Sequence, residues 1–94
     1  MLPSRKDKVH ALLDQCATEL LEFVKEREPQ HKDRWVPATE IKDLLQLNFV
    51  SYPKSAAQQG EKGWLFAILA RMLEDTGRLE YQKQGSRSFC RSTK

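Results

Sequence analysis

The stretch WLFAILARMLEDTGRLEY, residues 64–81, changes its period part-way through. Up to Thr76 the apolar residues Leu65, Ile68, Leu69 and Met72 return every three or four positions, which is the spacing of one side of an α-helix, with Trp64 at the border of the stripe. Beyond Gly77 the pattern becomes Leu79 and Tyr81 alternating with polar residues, which is the spacing of a strand. Gly77 stands where a helix commonly ends on a left-handed residue. The stretch therefore predicts a helix over about residues 61–76 that feeds a β-hairpin.

The second arm of that hairpin is SFCR, residues 88–91, with Phe89 as its large apolar residue. Because side chains alternate between faces and cross-strand partners share one, the length of the turn decides which residues point inward. A two-residue turn at Gly85-Ser86 sets Tyr81 opposite Cys90 and sends Phe89 to the other face. An odd loop, Gln84-Gly85-Ser86, sets Phe89 opposite Tyr81 and leaves Lys83 and Arg87 flanking the tip. The second arrangement is expected, since it gathers Leu79, Tyr81 and Phe89 on one side.

Upstream, residues 8–28 carry Val9, Leu12, Leu13, Cys16, Leu20, Phe23 and Val24 at helical spacing, with Asp14, Glu19, Glu22 and Glu26 on the other face and Pro29 as a stop. After the polar connection QHKDR, Trp35-Val36 predicts a brief strand. PATEIKDLLQL, residues 37–47, predicts a second helix with Pro37 in its first turn and Ala38, Ile41, Leu44 and Leu45 inward. Residues 48–63, NFVSYPKSAAQQGEKG, read as a loop of unusual length in which Ser55 is a candidate N-cap. The expected class is α+β: mainly α with a small hairpin, three helices, a two-stranded C-terminal ribbon and a short strand near Trp35. At 94 residues one domain is expected, with residues 1–7 and 92–94 as flexible tails and both tryptophans in the core.

This order resembles the winged helix-turn-helix superfamily: WVPATEIKDLL looks like its short strand and second helix, WLFAILARMLEDTGRLEY like its third helix entering the wing, and GSRSFCR like the returning wing strand. The resemblance covers about residues 8–92. It implies that the third helix and the wing approach double-stranded DNA, the helix at the major groove and the wing at the backbone or minor groove.

The charge pattern agrees in sign with that implication. Residues 48–94 hold 8 Lys/Arg against 4 Asp/Glu, whereas residues 1–47 hold 8 against 9, so the basic surplus lies in the C-terminal half. Candidate phosphate contacts are Lys83, Arg87 and Arg91 on the wing, Lys54, Gln58, Gln59 and Lys62 around the start of the third helix, and Arg71 further along it. The middle of that helix offers few of the Arg, Lys, Asn or Gln side chains that read base edges. A competing reading is a protein-interaction or dimerisation module of the same fold, in which Phe49, Val50 and Tyr52 cover a partner or a second copy.

Other chemistries find little footing. His10 and His31 have no neighbouring Cys, Ser or acid at nucleophile or metal spacing, the serines lack a G-x-S-x-G context, and the glycines lack phosphate-loop spacing, so neither an enzyme nor a cofactor or metal site is expected. Cys16 and Cys90 show no C-x-x-C pattern and read as reduced thiols. The longest apolar run, Trp64 to Ala70, is far short of the ~20 residues of a membrane span, and a transcription-regulator-like protein of the cytoplasm is the expectation.

Overall fold

The structure, a computed structural model, describes residues 2, 4–47 and 64–93. Among them are three α-helices and a three-stranded antiparallel sheet: α1 (Arg5–Arg27), β1 (Val36–Pro37), α2 (Ala38–Leu44), α3 (Trp64–Asp75), β2 (Leu79–Gln84) and β3 (Arg87–Ser92), with two short 3-10 turns between α1 and β1. The α+β class and the short strand after Trp35 are as the sequence predicts. The expected loop over residues 48–63, and Ser55 within it, lies outside the described residues.

The first helix begins three residues earlier than its apolar stripe suggests, because Ser4 and Asp7 form a capping box: the Ser4 hydroxyl accepts from the Asp7 N–H and the Asp7 carboxylate accepts from the Ser4 N–H. Residues 4–7 are thus helix start and not tail. Nor are Ser92 and Thr93 tail, since β3 runs to Ser92 and the Thr93 hydroxyl donates to the Gly77 carbonyl at 2.7 Å.

Both long helices are rotated from their expected orientation. On α1 the buried residues are Ala17, Leu20, Leu21 and Val24, while Val9 and Leu12 are 54% and 60% exposed and Cys16 is exposed as well. On α3 the buried residues are Phe66, Leu69, Ala70 and Leu73; Ile68 and Trp64 face outward, Trp64 contrary to the expectation of a core tryptophan. On α2, Ala38 and Ile41 are buried as expected, Leu45 is half-buried and Leu44 is exposed. These faces close on one cluster, completed from the sheet by Val36, Leu79 and Cys90.

Gly77, at φ +74, ends α3 in a Schellman motif, the Arg78 N–H reaching the Leu73 carbonyl and the Gly77 N–H the Glu74 carbonyl. The ribbon then departs from the expected register. Its turn is the two-residue one: Gln84 pairs with Arg87 and Tyr81 with Cys90, with Gly85 at the positive φ that the first central position of such a turn favours. Phe89 therefore lies on the face away from Leu79 and Tyr81, opposite Gln82. The reason is the third strand. The sheet order is β1-β3-β2, and Val36 of β1 pairs with Cys90, so the core beneath the central strand is filled by Val36 and a small thiol without needing Phe89.

Candidate nucleic-acid interface

The cations of the ribbon and its approach fall into two groups by what stands beside them. Arg91 shares the outer face with Glu80 across the strand pair, and its Nε lies 3.1 Å from that carboxylate. It also donates to the Asp33 carbonyl at 2.9 Å and stacks over Trp35, 4.1 Å from the ring centroid. Arg78, just after α3, reaches back to α1, where it meets Asp14 at 3.1 Å. Both arginines near the root of the ribbon are thus held by acids.

The tip differs. Among the described residues no carboxylate lies within ion-pair distance of Lys83 or Arg87, and both are exposed. Arg87 has Phe89 for a neighbour, 6.0 Å to the ring centroid. Lys83 alternates onto the same face as Tyr81, and Tyr81, 42% exposed, lines an open groove between the ribbon, α2 and α3 instead of anchoring the core.

That groove has a volume of about 390 Å³. Its floor is apolar: Pro37, Ala38, Phe66, Ala67 and Ala70. Its lining includes Lys42 from α2, Arg71 from α3 and, at the hairpin end, Arg87, whose register places it on the face of Phe89, against one lining carboxylate, Glu74. Thr39, Tyr81, Ser86 and Ser88 add hydroxyl-bearing side chains to the lining. Lys42 lies 5.9 Å from the Phe66 ring centroid, its charge over an apolar floor. Arg71 is paired with Asp75 at 3.0 Å, but both side chains are largely exposed, and such a surface pair is worth no more than about 1 kcal/mol, so it yields to a stronger anion.

Of the candidate contacts, the structure brings Arg71 and Arg87 to one groove, puts Lys83 on the ribbon face that borders it, and sets Arg91 apart in a recess with Asp33, Arg34 and Glu80. Lys54, Gln58, Gln59 and Lys62, and the apolar Phe49, Val50 and Tyr52, lie outside the described residues. Sequence reading missed Lys42 and the hydroxyl groups. The available signal was the i, i+3 spacing of Thr39 and Lys42 on α2, on the flank of the inward Ala38 and Ile41.

Several titratable groups away from the groove serve the fold. Glu28 is buried; it accepts from the Ser92 N–H and pairs with Arg34 at 3.4 Å, while Arg34 donates to the Ser92 carbonyl at 3.1 Å. Glu40 joins α2 to the end of α1 through Arg27 at 2.8 Å and His31 at 3.0 Å. Burial opposes its ionisation, but the hydrogen bonds and charges of Arg27 and His31 outweigh that and hold its pKa below the ordinary 4.5. Burial, with Glu74 adding to it, pushes the Cys90 thiol up to about 12, which keeps it protonated. Among the described residues no group of three or more His, Cys, Asp and Glu could hold a metal ion, and no helix is long and apolar enough to cross a membrane. Compared with family models, with curated proteins and with solved structures, the chain gives no match.

Proposed function

We propose that the chain is a DNA-binding module of winged-helix type that holds the phosphate backbone in the groove between α3 and the ribbon. The order of helices and strands and the three-stranded sheet support the fold reading. One observation carries the function: Lys42, Arg71 and Arg87, far apart in sequence, all line one groove with four hydroxyl-bearing residues and a single lining acid. Phosphate oxygens are recognised by such donors, and their cationic partners release counterions on binding. Side chains that distinguish bases are scarce on the exposed side of α3, which offers Trp64, Ala67, Ile68 and Arg71 with the acids Glu74 and Asp75 near its end, so binding that varies little with sequence is expected.

The test is fluorescence anisotropy with a labelled duplex at several salt concentrations. Replacing Lys42, Lys83 and Arg87 together by Ala should leave the fold intact and lower the slope of log affinity against log salt by about 3, one for each lost phosphate contact. Wild-type affinity in the folded triple variant would overturn the groove as the phosphate site.

A second reading has its own observation: Trp64 and Ile68 are 38% and 47% exposed on the outward side of α3. Large apolar residues on a helix surface suit a protein partner. Ile68→Asp would abolish such a contact while sparing attachment to phosphate.

A further inference from the structure

The first two turns of α1 are exposed, yet they are apolar along one line. Residues 4–12 are all exposed, and the capping box fixes this end of the helix without help from the core. Val9, Leu12 and Cys16 follow each other at spacings of three and four, so they form one exposed stripe, set aside from the Ala17, Leu20, Leu21 and Val24 face that packs inward. We infer that this stripe is a self-association surface on which α1 of a second copy lies antiparallel.

Charge decides both the occupant and its direction. The same line is bracketed by Arg5 at one end and Glu19 at the other, each continuing the three-and-four spacing. Lys8 and Glu22 stand on the flank of the stripe in the same basic-then-acidic order. A parallel pair would set Arg5 on Arg5 and Glu19 on Glu19, which is repulsive. An antiparallel pair centred on Leu12 sets Arg5 against the other copy's Glu19, Val9 against its Cys16, and Leu12 against its Leu12. The stripe is thus complementary to itself under a twofold axis, the requirement of an isologous interface. A two-helix contact of a few turns buries less than the ~1,200 Å² of a standard stable interface, so the association depends on concentration.

Sedimentation of the full chain over a wide concentration range tests this. The average mass should rise toward that of two copies, Leu12→Glu should hold it at one, and because Leu12 is largely exposed that variant keeps its thermal transition. Arg5→Glu should weaken association at least severalfold, and adding Glu19→Arg should restore it. Direction is read by copper-phenanthroline oxidation. The antiparallel pair separates the two Cys16 by about 12 Å along the axis, beyond disulfide reach, so wild-type protein should not crosslink, whereas Val9→Cys should crosslink to Cys16. Cys90 is buried and stays out of the reaction. A monomer at every concentration, or association that Leu12→Glu leaves intact, would overturn the surface. Efficient Cys16–Cys16 crosslinking of the wild type would overturn the antiparallel arrangement.

Discussion

The root and the tip of the ribbon carry two cations each, Arg78 and Arg91 against Lys83 and Arg87, and these are opposite in availability. At the root, Arg78 is held by Asp14, and Arg91 by Glu80, the Asp33 carbonyl and the Trp35 ring. At the tip, Lys83 and Arg87 project with no acid among the described residues beside them. The difference teaches that a charge count over a segment is a poor measure of its field. Register assigns each cation a cross-strand partner, and the partner decides: Glu80 stands opposite Arg91, whereas Gln84 stands opposite Arg87 and Ser88 opposite Lys83. Held cations fasten the root of the ribbon to α1 and to the turn before β1; the tip cations have no acid partner among the described residues.

The largest expected effect breaks the root. Glu28 is buried and serves both the Ser92 N–H and Arg34, so Glu28→Ala leaves a backbone donor and a guanidinium without their acceptor. A loss of about 3 kcal/mol in urea unfolding is expected, the scale for one partner removed from a buried charged pair. A loss below about 1 kcal/mol would mean that the strand end is fastened by the core alone.

A smaller effect separates held from free charge by pH. The Glu40 pKa is lowered on folding, so its stabilising contribution is present above the ordinary 4.5 of the unfolded chain and is lost as pH falls through the folded value. Unfolding free energy should therefore decline below about pH 4.5 in the wild type and more gently in Glu40→Gln, the two curves converging in acid. Curves that stay parallel down to pH 3 would show that the Arg27–Glu40–His31 contact contributes nothing that acid removes.

Much of this fold is legible in the sequence, and its misreadings share one cause. The change of period at Gly77 and the Pro37 boundary are local signals, and they place α3, the ribbon and α2 nearly where they are observed. What fails is which way a surface faces. The stripes on α1 and α3 are broader than the contact available, so Val9, Leu12 and Ile68 remain outside while Ala17, Phe66 and Ala70 are taken in. Likewise the hairpin register is argued from Phe89 as the largest apolar side chain, but Val36 arrives from a strand fifty residues away and fills that place. The groove is legible only in part for the same reason: Arg71 and Arg87 are visible as cations, whereas Lys42 becomes their neighbour only when α2 packs beside α3.

The smallest stability effect is the sharpest test of root against tip. Arg91→Ala removes an ion pair, a hydrogen bond and a stacked ring, and should cost about 1–2 kcal/mol of stability while leaving duplex affinity unchanged in the folded protein. Lys83→Ala and Arg87→Ala should each change stability by no more than about 0.5 kcal/mol, as surface substitutions without partners do, and should each weaken binding severalfold at low salt. Paired measurements of thermal unfolding and anisotropy on the three variants give two orderings, which should be opposite. If Arg91→Ala weakened binding as much as Arg87→Ala at equal stability, the guanidinium over Trp35 would be exchanging its protein partners for phosphate, and the distinction between held and free cations would dissolve.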